Sequence, residues 1–239
     1  MSSQRLPFTA IGGIGLTRLS VYDQRPAPDG LMSGCPHIHA ICEEAYYVTR
    51  GQGRAELHDP VHGFRTIALE AGDYLDFPAN VLHRIINDGG LEILGIMSNA
   101  GLPERGEARI YFGQAVDDDP AAYQRLINLP KSKGLEGALE RRDAAVAAYQ
   151  QLLALYDKDP AAYRAELERF SRVHAEACRK DQAGYAAVIE SGPVRWADEA
   201  LDRLGSLPAA PVTRDIRHNR AKAATTFGMC GLLKPVCLD

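Results

Sequence analysis

The apolar positions of this chain change period near residue 113. Between residues 7 and 113 they come in short runs, GLTRLSVYD (15–23), EAYYVTRG (44–51), FRTIALE (64–70) and LEILGIMS (91–98), with glycine, proline and aspartate between them. Runs of this length and composition predict strands, and a succession of them without a helical period predicts a sandwich or barrel. Beyond Gly113 the period lengthens. Val146, Tyr149, Leu153 and Tyr156 recur at steps of three and four within 136–157, as do Tyr163, Leu167, Phe170, Val173 and Ala177 within 160–180, which predicts two helices with one buried stripe each. Asp119-Pro120 and Asp159-Pro160 are start signals, with aspartate as cap and proline at the first helical position. The echo of DPAAYQRL (119–126) in DPAAYRAEL (159–167) fades within about two turns, so it is one capping solution used twice rather than a repeat.

A further helix is predicted over 194–204, with Trp196, Leu201 and Leu204 on one face and Gly205 as its stop, before the loop SLPAAPVT. The tail joins a basic stretch, RDIRHNRAK (214–222), to an apolar one, TTFGMCGLLKPVCLD (225–239). It reads as a terminal segment docked to complete a core, with the barrel mouth or another subunit as alternative resting places. The expected organisation is therefore a mainly β domain over 1–113 and a helical extension with an apolar tail over 114–239.

Composition narrows the partners. With 239 residues, 46% of them apolar, the chain can bury a core, and a net charge of −4 with a pI near 6.0 offers no chain-wide basic footprint for nucleic acid or an anionic membrane. No apolar run approaches the roughly 18 residues of a membrane span, and the N-terminus lacks a signal-peptide layout. A cytoplasmic protein with a small-molecule substrate is expected. Its five cysteines, Cys35, Cys42, Cys178, Cys230 and Cys237, are odd in number and sparse, so they read as thiols rather than a disulfide framework.

The chemistry concentrates in the β half. His37 and His39, two residues apart, point to one face of a strand, as two imidazoles sharing an ion must. Glu44 opens the next β run and adds an anionic oxygen, a mixture that suits iron, manganese, nickel, cobalt or zinc rather than calcium or magnesium. His83, in GDYLDFPANVLHRIIN (72–87), is the fourth candidate ligand. His58, His62, His174 and His218 have no partner at ligand spacing and read as surface or locally bonded residues.

PHIHAICEEAYYVTRG followed by GDYLDFPANVLHRIIN closely resembles the paired motifs of the cupin superfamily. His37, His39, Glu44 and Gly51 occupy the places of the first motif, and only Glu44, not Glu43, stands six residues before the glycine. Gly72, Pro78, His83 and Asn87 occupy those of the second. Leu31 stands where the first motif usually opens with glycine, and Asn80 replaces an inner glycine of the second, where asparagine tolerates a left-handed turn. The resemblance implies a double-stranded β-helix, or jelly-roll barrel, followed here by α-helix, with one divalent transition metal on His37, His39, Glu44 and His83. Fe(II) is the first expectation, with Mn, Ni, Co, Cu or Zn as the others.

If the strand carries no bulge, Tyr46 and Val48 share the face of Glu44, and Ile85 shares that of His83. The Tyr46 phenol could then donate to a substrate or act as a general acid, or simply pack. Arg109 could supply a fork for a carboxylate or phosphate, or a rim salt bridge. Three imidazoles and a carboxylate leave an octahedral ion about two open positions. The resemblance implies first an oxygenase of dioxygenase type on a small polar metabolite. Second comes an isomerase, lyase or decarboxylase of a sugar or hydroxy acid, in which Glu44 or a tyrosine moves the proton. A small-molecule-binding or regulatory module is third. The resemblance stops before residue 114, so the helices are expected either to cover the barrel mouth or to form the interface of a homodimer.

Overall fold

Two long strands carry the architecture, and the other strands join the sheet through them. The computed structural model describes residues 9–207, 216, 218 and 225–236. Its strands are β1 (Gly15–Val21), β2 (His37–His39), β3 (Glu44–Asp59), β4 (Gly63–Glu70), β5 (Tyr74–Phe77), β6 (Leu82–Met97), β7 (Ala108–Ile110), β8 (Thr226–Phe227) and β9 (Gly231–Pro235). All pairings are antiparallel, in the order β4-β3-β6-β1-β9-β8, with β5 on β3 and the β2–β7 pair joined to β6.

β3 and β6 are each sixteen residues long and pair over nearly their whole length, with register shifts between Val48 and Gly53. The expected strand end at Gly51 is thus a bend inside one strand, where bulges let the sheet curl. Gly51 has φ +76°, and a Cβ there would run into the Gly90 carbonyl, so this position requires glycine. Alternation along the curled sheet turns Leu19, Val21, Tyr46, Val48, Ala55, Leu57, Ile85, Leu91 and Ile93 inward as one core. The fold is a mainly β N-terminal half of jelly-roll type followed by helices. The described end of the apolar tail is itself part of the barrel: β9 pairs with β1 and sends Cys230 and Leu233 into the same core.

The helices are α1 (Gln114–Asp117), α2 (Pro120–Ile127), α3 (Leu129–Lys158), α4 (Pro160–Arg179), α5 (Gln182–Ile189) and α6 (Arg195–Gly205). Asp119 caps α2 by accepting from the Ala121 and Ala122 N–H groups, and Asp159 caps α4 by accepting from that of Ala162. No described helix is long and apolar enough to cross a membrane. α3 begins seven residues before its predicted start, because the chain turns at Gly134 (φ 58°) and resumes the helix on a new heading. α5 was not expected; its apolar residues are too evenly spread to show a stripe. The predicted α4 stripe drifts, and His174 and Cys178 are buried in place of Val173 and Ala177. Of the α6 stripe, Leu201 and Leu204 are left uncovered at 64% and 65% exposed, while Trp196 is half-buried. Of the tail and its approach, residues 208–215 and Cys237 lie outside the described residues, as does most of the basic stretch.

The two halves share a core. Ile38 and Leu82 of the barrel pack with Tyr149 and Leu152 of α3 and Tyr163, Leu167 and Phe170 of α4. A polar chain runs beside it: the Tyr149 hydroxyl donates to Glu56 at 3.0 Å, so His58 donates to Tyr149 and accepts from Tyr163 at 2.9 Å. Burial pushes the His58 imidazole down to about 3, which keeps it in the neutral form this chain needs. Because Phe170 is 1% exposed in that shared core, Phe170→Ala is expected to cost about 3–5 kcal/mol in denaturant unfolding. A loss below about 1 kcal/mol would mean that the helices do not lean on the barrel there.

Candidate metal centre

His37 and His83 face each other across the β2–β6 pair as direct register partners, and His39 follows one alternation further along β2. β3 begins with Glu44 and brings its carboxylate to them, whereas Glu43 is exposed. The Nε2 atoms of His37 and His83 are 3.1 Å apart. Glu44 Oε2 lies 3.1 Å from His83 Nε2 and 3.6 Å from His39 Nε2. One ligand atom from each of the four residues falls within 4.8 Å of all the others, and all four residues are buried.

The other ring nitrogens fix what these atoms can be. His37 Nδ1 is 3.0 Å from the Cys35 carbonyl, His83 Nδ1 is 3.1 Å from the Val81 carbonyl, and His39 Nδ1 is 2.8 Å from Glu107 Oε2. Carbonyl and carboxylate oxygens only accept, so each Nδ1 carries the proton and each neutral Nε2 presents a lone pair. Three lone pairs and a carboxylate then converge with nothing to donate between them, and Glu44 Oε2 has no properly directed hydrogen bond. Such an arrangement is repulsive until a cation enters it. Two ligand atoms bound side by side to one ion at about 2.1 Å stand roughly 3 Å apart, which matches the closest separations here. The residues present therefore fit a divalent transition metal.

The electrostatics without metal show how strongly the site is arranged around charge. Burial, with His83 and His39 nearby, holds His37 well below the usual imidazole range. Burial also opposes charge on His39, but the hydrogen bond to Glu107 and the charges of Glu44 and Glu107 outweigh it and raise the pKa. Glu44 resists its own burial through His83 and His39 and is lowered. Glu107 is fully buried, yet the His39 hydrogen bond and the N–H groups of Ile41 and Cys42 bring it down to about 2. This carboxylate–histidine pair sets the tautomer and orientation of His39 toward its ligand position. His39, Cys42 and Glu107 also form a cluster of metal-ligand type. In it Glu107 is engaged with the imidazole and two backbone N–H groups, the contacts of a supporting residue.

A cavity of 710 Å³ opens onto His37, His39 and Glu44. Leu19 and Met97 of the sheet, Tyr123 of α2, Arg141 of α3 and residues Phe227–Cys230 of the tail form other parts of its wall. The Tyr46 hydroxyl is buried beside Glu44 without a hydrogen-bond partner, and burial together with the Glu44 charge pushes its pKa well up. Cys230 Sγ lies 3.8 Å from His37 Nε2.

Arg109 is not brought to this group. It pairs across from Ile38, so it shares that residue's face, opposite the one of His37 and His39. There its guanidinium stacks 3.9 Å over the Tyr123 ring and donates to the Asp117 carbonyl at 2.8 Å. It does not line the cavity, and the fork expected for a carboxylate or phosphate is engaged elsewhere. His58 and His174 are buried and locally bonded, and Asn80 adopts φ +67°, donating its backbone N–H to the His39 carbonyl at 2.7 Å. Glu107, Arg141 and Cys230 escaped the sequence reading. None stands at a spacing that ties it to the ligands, and only the strand pairing and helix docking bring them near.

An antiparallel jelly-roll barrel with a buried group of three imidazoles and a carboxylate defines the class of protein to which this half belongs. Residues 24–97 match the model of the Cupin domain, so the β half contains a cupin domain. Among curated proteins no sequence match was found. Solved structures similar to part of the chain include Pac13, a nucleoside dehydratase from Streptomyces, at 18% identity over 43% of this chain and 71% of that one, TM-score 0.32. A cupin protein from Bacteroides fragilis matches at 23% identity over 42% of this chain and 80% of that one, TM-score 0.30. A Klebsiella pneumoniae protein with a double-stranded β-helix domain matches at 14% identity over 46% and 88%, TM-score 0.31.

Removing the support of His39 should weaken the site without removing a ligand. Glu107→Gln is expected to lower divalent-metal affinity about 10- to 100-fold, measured by competition with a chelator. The same variant tests the electrostatics in the metal-free protein. The folded Glu107 carboxyl titrates at about 2 rather than 4.5, so its stabilisation is complete above about pH 5 and is lost as pH falls toward 2. The stability gap between wild type and variant should shrink across that window, and a gap that stays constant would count against the pairing.

Proposed function

We propose that this protein is a metal-dependent cupin enzyme of oxygenase type acting on a small polar molecule, with His37, His39, Glu44 and His83 holding one divalent transition metal, Fe(II) foremost. The observation that supports this most is the convergence of three Nε2 lone pairs and the Glu44 carboxylate, with His37, His39 and Glu44 on the wall of a 710 Å³ cavity. When bound, such a metal supplies a centre at which O₂ and a chelating substrate can meet.

The chain's own residues favour this over an isomerase or lyase. Acid–base catalysis needs a side chain near the reacting atoms that can take and return a proton close to neutral pH. Glu44 is committed to the imidazoles, and Tyr46 is held far above its ordinary pKa. Tyr123 is also pushed up, to about 12, chiefly by burial, and its hydroxyl accepts from the Ile110 N–H. The Cys230 thiol, also on the wall, is pushed well up, chiefly by burial, and Glu104, Arg105 and Lys131 there are exposed. The buried part of the wall thus orients and desolvates a ligand and has little means to move its protons.

Protein purified without chelators, or loaded with Fe(II), is expected to hold about one metal per chain, and His83→Gln and Glu44→Gln to hold much less. With Fe(II) bound, oxygen uptake should appear with at least one member of a panel of enolates, catechols and hydroxy acids. Stoichiometric metal without oxygen uptake on any panel member, with iron, manganese, nickel or copper, would overturn the oxygenase reading in favour of the non-redox one. Failure to bind any metal would overturn both.

A further inference from the structure

Among the described residues three arginines are buried, and two of them are paired with carboxylates. Arg84 pairs with Asp29 at 2.7 Å and Glu56 at 3.7 Å, and Arg142 pairs with Asp143 at 2.7 Å. Arg141, 5% exposed, has no carboxylate within ion-pair distance among the described residues. Its Nη2 donates to the backbone carbonyls of Gly228 at 2.6 Å and Phe227 at 3.4 Å, and its Nε is buried with no hydrogen-bond partner. A buried guanidinium without a counter-ion is costly, and two carbonyl oxygens offset only part of that cost. This cation also lines the cavity that opens onto His37, His39 and Glu44.

We infer that Arg141 binds an oxyanion of the ligand, so that the molecule this cavity takes is a small carboxylate or phosphate ester rather than a neutral sugar, alcohol or base. The inference rests on the cavity being the substrate site, as in the function proposed above, and not on the oxygenase chemistry. A divalent ion would be balanced by Glu44 and by Glu107 behind His39, so Arg141 is left as a positive charge on the same wall that no carboxylate pairs among the described residues. At the mouth, exposed Lys131 and Arg105 line the cavity with Glu104, and Arg105 is paired with Asp181 at 2.7 Å. An anionic ligand supplies the missing counter-charge, and a planar fork of N–H donors suits an oxyanion geometrically.

The test measures binding rather than turnover. Calorimetry on metal-free and Zn(II)-loaded protein would compare malonate, glycerol phosphate and neutral glycerol as probes. At least one anion is expected to bind, glycerol not, and the comparison of the two anions identifies carboxylate or phosphate as the preferred group. Arg141→Gln should weaken that anion at least tenfold while near-UV circular dichroism and zinc stoichiometry stay those of wild type. Because Arg141 also holds the tail carbonyls, Arg141→Lys is the second variant. It keeps the charge but loses the fork, and should remain anion-selective with at least fivefold weaker binding. Equal binding of glycerol and the anions, or anion affinity unchanged in either folded variant, would overturn the assignment. Oxygen uptake does not enter this outcome and zinc stoichiometry enters only as a control on folding, so its failure would leave the proposed chemistry standing, and loss of that chemistry would leave the anion site standing.

Discussion

The structure is organised around a repulsion. Three imidazole lone pairs and a carboxylate are placed a few ångströms apart by backbone that has other reasons to be where it is. The His37–His83 approach is a strand register, and the Nδ1 protons are fixed by two backbone carbonyls and by Glu107. None of these contacts can relax without breaking sheet pairing or stranding a buried donor. A site whose ligands are held this firmly loses little conformational freedom when an ion arrives. In the metal-free state His39, raised by its hydrogen bond to Glu107 and the charges of Glu107 and Glu44, is the imidazole placed to take a proton, whereas burial and its neighbours hold His37 well below the usual range. Metal and protons therefore compete for the same lone pairs, and the fold leaves both a place.

The helical half is more than a lid placed on a finished barrel. α3 supplies Tyr149 to the shared core and Arg141 to the cavity, and the chain then returns through the tail so that β9 extends the sheet beside β1. Arg141 joins these two contributions by holding the carbonyls of residues 227 and 228. The wall facing the ligands is thus built from both halves, and a change in the helices is felt at the site through packing rather than by direct contact with the ion.

What could be read in advance follows from the range of each signal. The convergence of the four candidate ligands was legible because period-two alternation and short spacings are local: His37 and His39 share a face whatever the rest of the chain does, and the turn residues Gly51 and Asn80 announce their backbone conformations by type. Arg109 was misplaced because its face depends on pairing opposite Ile38, which no local pattern reveals. Glu107 was invisible for the same reason, since it reaches His39 from across a strand pair. The α4 stripe was right for its first two turns and then drifted to His174 and Cys178, as steps of three and four accumulate error over twenty residues. α6 carries a clear apolar stripe whose Leu201 and Leu204 the described residues leave exposed, so amphipathicity correctly foretold a helix but not a burial.

These ranges also explain why a reaction is harder to read than a cluster of candidate ligands. The four residues lie on two neighbouring strands and one strand start, so the information is compact. The ligand-binding wall draws on β1, α2, α3 and the tail, separated by up to two hundred residues, and its decisive residue is recognised only by a comparison between three buried arginines. That comparison needs the whole structure, because a buried charge is notable for the partner it lacks, not for the sequence around it. A barrel that fixes the ion and a separate set of elements that fixes the ligand can vary independently, which is a physical reason for one fold to serve many reactions. In this chain the second set presents a buried guanidinium that no carboxylate pairs among the described residues, and that unmatched charge is the most specific pointer to what the site receives.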